Sequence, residues 1–385
     1  MKDDSILTHA GRHPKQNHGV VNPPVYHAST ILFPTLDTFY GRDKSIKSTY
    51  GRKGTPTVFS LQDAVCELEG GHGTILAPSG LAAVTAAIQA CTKAGDHVLI
   101  PDSVYAPTRM FMDQTLARFG VSAEYYDPTI GSGIEAQVKP ETSVIFMEAP
   151  GSWTFEMQDV PAIVDVAKKH DIITIIDNTW AAGYFFKPLA LGVDISVQAA
   201  TKYIVGHSDT MMGVITCNKE TFQRVQDMAF LSGMCAGPDD VYLAQRGLRS
   251  MGTRLRQHHT NGIKLAEWLQ QRPEVLRVMH PALPDDPGHA LWKRDFTGAC
   301  GLFGFVMKSV EERQLAAMMD NMKFFGMGYS WGGFESLLIP TNPASVRTVT
   351  KWDVEGQSMR IHVGLEDFDD LIADLEAGFD RLAKA

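Results

Sequence analysis

The 385-residue sequence has no CxxC pair, and its five cysteines (Cys66, Cys91, Cys217, Cys235, Cys300) are scattered and odd in number. That excludes a zinc ribbon and a disulfide framework, and it fits reduced thiols in a cytoplasmic protein. No apolar run approaches the roughly 20 residues needed to cross a bilayer. The first residues, MKDDSILTHAGRHPKQNHG, lack the apolar core of a secretory leader. Positive charge is also in deficit: 35 basic residues face 44 acidic ones, for a net charge of -9. Nucleic acid and anionic membrane are therefore not expected as partners. Internal repeats and low-complexity tracts are absent. What is present is ordinary for a globular chain: 44% hydrophobic and 21% charged residues, and enough length for two or three domains.

Residues 1–54 are rich in Pro, Gly, His and Tyr and show no sustained periodicity. A free loop of that length does not belong inside a compact domain. Its aromatics (Tyr26, Phe33, Phe39, Tyr40, Tyr50) predict an arm laid on a neighbouring subunit. Regular structure is expected from Thr55-Pro56, a helix cap followed by a first-turn proline. Val58, Leu61, Val65 and Leu68 form one face of that helix, and Gly70-Gly71 ends it.

Strands and helices then alternate. Strands are expected over 74–77, 97–100, 121–125, 144–147, 172–176, 193–198 and 213–217, with helices over 80–90 and 106–119 and one capped by Asp159. Short unbroken apolar strands between helices imply an α/β fold with a mostly parallel sheet covered on both faces. From about 238 to 271 the pattern turns helical, followed by strands near 275–279, 301–307 and 360–363 and a final amphipathic helix from Phe368 to Leu382. The expected division is an arm (1–54), an α/β domain (55–245) and a smaller C-terminal α+β domain (246–385).

The most informative stretch is SVQAATKYIVGHSDTMMG, where an apolar strand runs into Thr201-Lys202. A lysine desolvated at such a place has a lowered pKa, and its free amine can form a Schiff base. Pyridoxal phosphate would need a carboxylate to keep its ring nitrogen protonated. Asp177, 25 residues earlier at the end of ITIID, is a candidate, although DN also opens turns. A phosphate needs backbone amides at a helix start, which Pro78-Ser79-Gly80-Leu81 offers. Tyr105 could face the ring, or be an ordinary tyrosine. Arg360, opening RIHVG, could clamp a substrate carboxylate, or be a strand-end arginine. In parallel α/β sheets ligands bind beyond the carboxyl ends of strands, where these residues fall.

Nearly the whole chain resembles the Cys/Met-metabolism family of pyridoxal-phosphate enzymes. The segments that carry the resemblance include TYGRKGTPT, EAPGSWTFEMQDVPAIV, IIDNTWAAGYFFKPLALGVDISVQAATKYIVGHSD, GYSWGGFESL and RIHVGLEDFDDLIADL. The resemblance implies fold type I and an α,β-elimination that converts L-cystathionine to homocysteine, pyruvate and ammonia in methionine biosynthesis. It also implies a homotetramer of active-site-sharing dimers. It implies that Lys202 carries the cofactor and moves protons, Asp177 pairs with the ring nitrogen, and Tyr105 stacks on the ring. Gly80, Leu81 and Thr201 would hold the phosphate, joined by Tyr50 and Arg52 from a neighbouring subunit. Ser330 would orient the lysine, Trp331 line the pocket and Arg360 bind the substrate carboxylate.

The departures are informative. Related lyases commonly read YGRRGT, and here Lys53 replaces the second arginine, keeping charge but losing the fork geometry. Lys53 is therefore a candidate substrate-binding residue. APGSW and DNTW stand where the family's synthases and γ-lyases usually have SPxNP and DNTF, so Trp153 and Trp180 point to β-elimination. Two competing readings are another enzyme of the family (a γ-lyase, a γ-synthase or a broad cysteine-S-conjugate lyase) and a cofactor-bearing regulator. His258-His259 is expected on a partly exposed helix face, His207-Ser208-Asp209 in a loop-ordering role, and the methionines of 318–327 in the core.

Overall fold

The short apolar runs become strands with a covered face on either side. The computed structural model describes residues 1–43 and 46–385. Strands β1 (Gly73–Ala77), β2 (His97–Pro101), β3 (Ser122–Tyr126), β4 (Thr142–Glu148), β5 (Ile173–Asp177), β6 (Ile195–Gln198) and β7 (Gly213–Cys217) form one sheet. Its order is β1-β7-β6-β5-β4-β2-β3, and only β7 runs against its neighbours. Successive strand residues point to opposite faces. Leu99, Ile145, Met147 and Ile176 join Leu61, Val65, Ile163 and Leu248 from the helices Pro56–Glu69, Val160–Lys169 and Pro238–Gln270. Val98, Val144, Phe146 and Ile175 meet Val84, Ile88 and Val225 of the helices Gly80–Ala90 and Lys219–Leu231. Two buried faces explain why these strands read as unbroken apolar runs.

A second, antiparallel sheet contains β8 (Val275–Met279), β9 (Leu302–Met307), β10 (Leu337–Thr341) and β11 (Gln357–His362), in the order β10-β11-β9-β8. Phe303, Phe305, Met359 and Ile361 pack against Leu371, Leu375 and Phe379 of the final helix, Phe368–Lys384. The helix Pro238–Gln270 links the two cores. It has 33 residues, a length of about 50 Å. Val241, Ala244 and Leu248 belong to the first core, and Leu265, Ala266 and Leu269 to the second. The boundary expected after residue 245 therefore falls within one continuous helix rather than in a linker.

Several local expectations change. Part of the N-terminal arm packs on its own chain: the helix Asp3–His9 buries Ile6 and Leu7, and Arg249 donates to Leu7 O and Ala10 O at 2.6 and 3.0 Å. One short helix is too little for periodicity to reveal. Beyond it, Val20, Val21, Leu32, Leu36, Phe39 and Tyr40 are exposed. Thr55 sits at the cap position of the next helix but makes no side-chain cap bond, and its buried hydroxyl has no partner among the described residues. Asp159 does cap its helix, accepting from Ala162 N. The helix expected over 106–119 is broken into an α segment, a π turn at Phe111–Thr115 and a 3-10 end. His258 is fully buried rather than partly exposed, because its Nδ1 is bonded to Val363 O at 2.8 Å and its helix face lies against the second sheet. Met318 and Met319 are core residues as expected, whereas Met327 is exposed. The five cysteines are unpaired. No helix among the described residues is long and apolar enough to cross a membrane.

Candidate active site

Asp177 ends β5, and β6 beside it leads through Ala199 into the turn that carries Lys202. Lys202 Nζ donates to Ser330 Oγ at 2.5 Å and lies 5.2 Å from the Trp331 ring centre. Burial lowers the lysine pKa to about 8; the Arg360 charge adds to this and Asp177 opposes it. Asp177 accepts from Thr179 N at 2.9 Å and Thr179 Oγ1 at 2.5 Å. Burial nonetheless raises its pKa, against the pull of the Thr179 bonds and the Lys202 charge.

A second carboxyl stands beside it. Glu148 ends β4 and pairs in register with Asp177. Its Oε2 accepts from Tyr105 N at 2.8 Å and its Oε1 from Ser152 Oγ at 2.6 Å. Burial first, then the charge of Asp177, holds Glu148 well above the carboxylate range. Two such neighbours do not both ionise readily. Asp177, which feels the Lys202 charge, is the natural bearer of the negative charge. Sequence reasoning missed Glu148. Its signal was an acid ending the apolar run SVIFME, one strand over from ITIID.

Other residues surround this pair. Tyr105 is 45% exposed. Its phenol pKa is raised by burial and then by the charges of Asp177 and Glu148, so it stays protonated at neutral pH. Arg360 Nη2 donates to Ser330 O at 2.9 Å, and burial lowers the guanidinium pKa to about 10. Its other N–H groups make no hydrogen bond among the described residues. Ser79 caps the helix Gly80–Ala90 by accepting from Ala82 N at 3.1 Å. Among the described residues the amides of Gly80 and Leu81 donate to nothing. A Cβ at Gly80 would lie 2.4 Å from the Ala199 Cβ, so only glycine lets this helix start approach the lysine loop.

Not every expected residue joins the cluster. The Thr201 hydroxyl is committed to Met212, accepting from its N at 2.8 Å and donating to its O at 3.2 Å. Tyr50 and Arg52, expected at a neighbouring subunit's site, and Lys53 make no hydrogen bond or ring contact with this chain's cluster. Tyr50 and Lys53 are exposed, and Arg52 donates to Phe230 O at 2.5 Å. Trp180 is buried, with its indole bonded to Leu302 O at 2.9 Å, and so ties the two sheets together. His207 and Ser208 bond to Val205 O and Glu335, in keeping with the loop-ordering role.

The lowered lysine pKa has a direct test. With cofactor removed, reductive methylation of Lys202 should accelerate up to about pH 8 and then level off, because above that pH the amine is mostly neutral. Surface lysines should keep accelerating to near pH 10. A Lys202 profile matching theirs would contradict the desolvated amine.

Pyridoxal phosphate completes what the cluster leaves open. Its protonated ring nitrogen would be matched by the carboxylate of buried Asp177. Its phosphate would be held by the amides of Gly80 and Leu81 at a helix N-terminus, which donate to nothing among the described residues. Fold and site together define a pyridoxal-phosphate enzyme of fold type I. The chain belongs to the Cys/Met metabolism PLP-dependent enzymes, whose family model matches residues 4–380. It is 47% identical to the cystathionine beta-lyase MetC of Escherichia coli (strain K12), over 99% of each chain. It is 45% identical to the cystathionine beta-lyase of Salmonella typhimurium, over 98% of each. Among solved structures, metB from Corynebacterium glutamicum superposes with a TM-score of 0.92 at 28% identity, covering 99% of this chain and 98% of that one.

Proposed function

We propose that this chain is a carbon–sulfur lyase that cleaves L-cystathionine by α,β-elimination, giving homocysteine, pyruvate and ammonia, as a step of methionine biosynthesis. The observation that carries the reading is the set Lys202–Ser330–Arg360. It puts a base of lowered pKa and a carboxylate-binding guanidinium on one serine. The likeness to enzymes named cystathionine beta-lyase supports the substrate.

Bound pyridoxal phosphate supplies an electron sink for the charge left at the substrate Cα. Arg360 binds the substrate carboxylate with its unused N–H groups, in a bidentate fork. Lys202, neutral for part of the time near pH 8, takes the Cα proton. Asp177 holds negative charge at the ring-nitrogen end, and Glu148 beside it stays protonated and keeps Tyr105 in place through its amide. As the Cβ–S bond breaks, the Tyr105 phenol or the protonated Lys202 returns a proton to the leaving sulfur. Trp331 and Ser330 keep the lysine amine from swinging into solvent.

Tyr50, Arg52 and the exposed apolar arm residues are assigned to a neighbouring subunit's site, within a homotetramer of active-site-sharing dimers. Lys53 is assigned to the distal end of the substrate. The free cysteines support a cytoplasmic location. The deciding experiment is product analysis with purified protein, pyridoxal phosphate and L-cystathionine. Pyruvate and homocysteine are expected. 2-Oxobutyrate and cysteine would instead make it a γ-lyase, and absence of turnover would favour a regulator.

A further inference from the structure

Ser330 holds both the base and the carboxylate clamp, yet its own backbone is in an unfavourable state. Its φ is +78°, in the left-handed region that non-glycine residues rarely adopt. Such a residue persists only when its surroundings fix it. Two residues on, Gly332 has φ +83°, and a Cβ there would come within 3.0 Å of Lys202 Cα and Cβ. The loop 330–333 is therefore pressed against the lysine backbone, and something must hold it there.

β11 supplies the grip. Arg360 and His362 are two residues apart and so share a face of the strand, while Met359 and Ile361 point into the second core. Arg360 holds Ser330 O. Gly332 N donates to His362 Nε2 at 3.1 Å, and His362 Nδ1 bonds to Glu335 O at 3.1 Å. These bonds fix the tautomer: Nε2 accepts, so Nδ1 carries the proton and donates. The ring is 1% exposed, and burial keeps it neutral, as this arrangement requires.

We propose that His362 is a positioning residue: it grips the loop 330–335 at Gly332 and Glu335 and thereby sets Ser330 against Lys202 and Arg360. The proposal rests on the roles given above to Lys202, Ser330 and Arg360. Both imidazole nitrogens are taken up by the loop, at Gly332 N and Glu335 O. The imidazole acts through the loop.

Three variants separate its two bonds. His362→Phe keeps the shape of the ring and loses both. His362→Gln places an acceptor where Nε2 stands, and His362→Asn places a donor where Nδ1 stands. The first readout is hydrogen–deuterium exchange of peptides covering 329–336 in the holoenzyme, which does not depend on the reaction. Exchange of this segment should rise about tenfold in His362→Phe, the effect of losing a bond of roughly 1.4 kcal/mol, and should return towards wild type in His362→Gln. The second readout is kcat/KM for L-cystathionine. It should fall on the order of 10²-fold in His362→Phe, the scale of a misplaced catalytic group, and recover at least tenfold in His362→Gln. Unchanged exchange in His362→Phe would overturn the proposal. So would a loosened loop with unchanged kcat/KM, or rescue by His362→Asn but not by His362→Gln. If the wild-type protein does not turn over cystathionine, the functional reading fails by itself, and the exchange data still decide whether His362 grips the loop.

Discussion

Lys202→Ala is expected to remove the visible absorbance of the bound cofactor and to lower turnover of L-cystathionine by on the order of 10⁴-fold. The side chain carries two jobs that no neighbour can take over. Ser330 has a hydroxyl too weakly basic to take a Cα proton, and the Tyr105 phenol pKa is raised rather than lowered. Folding should survive, because the change removes a partly desolvated amine and leaves Ser330 Oγ with one bond fewer. The thermal midpoint of the cofactor-free variant should therefore stay close to that of the cofactor-free parent. A variant that keeps both the absorbance and the turnover would remove Lys202 from the centre of the site.

Asp102→Ala is expected to cost about 3–5 kcal/mol of stability, the usual result of removing one partner of a buried ion pair. Asp102 follows β2 and is fully buried. It accepts from Arg109 Nη2 at 2.7 Å, and from the amides of Thr348, Val349 and Thr350 at 3.0, 2.9 and 2.8 Å. Both threonine hydroxyls donate to it as well, each at 2.9 Å. Burial acts to raise its pKa, but the Thr350, Thr348 and Val349 bonds outweigh this and hold it below the ordinary value. Its contribution is therefore present above the unfolded carboxylate pKa near 4 and is lost as pH falls below it. The parent should lose this increment on acidification and Asp102→Ala should not. The damage should also reach the site. Arg347, next to the clamped threonines, bonds Glu156 at 2.6 Å and Thr154, flanking Trp153. A melting temperature within a degree of the parent would show that the clamp contributes little.

The strands were readable because both faces are covered, so apolar runs such as VLI and VIFM stand out without their partners. Lys202 and Asp177 were readable for a related reason: a charged residue at the end of such a run has no apolar purpose. Asp102 also ends such a run, but neither its partners nor those of His362 show in the sequence. Each acts on backbone atoms far along the chain, Asp102 on amides 246 to 248 residues away, and no local pattern encodes that. β10 went unread because Pro340 interrupts its run. The helix Lys219–Leu231 went unread because its apolar face is sparse, with only Thr221, Val225 and Ala229 buried. Trp180 read as a mark of β-elimination, and only the packing of the two sheets reveals that its indole is a bolt between them.

The helix Pro238–Gln270 also limits how the chain can be taken apart. A cut after residue 245 would leave Leu248, Met251 and Leu255 on the C-terminal fragment, while most of the core they fill lies on the other. Neither piece would be a natural module. Exchange of the C-terminal part between relatives would have to carry the rod whole, with junctions before Pro238 or after Gln270. Inheritance of the C-terminal sheet is thereby tied to that of the helix that braces the lysine-bearing half.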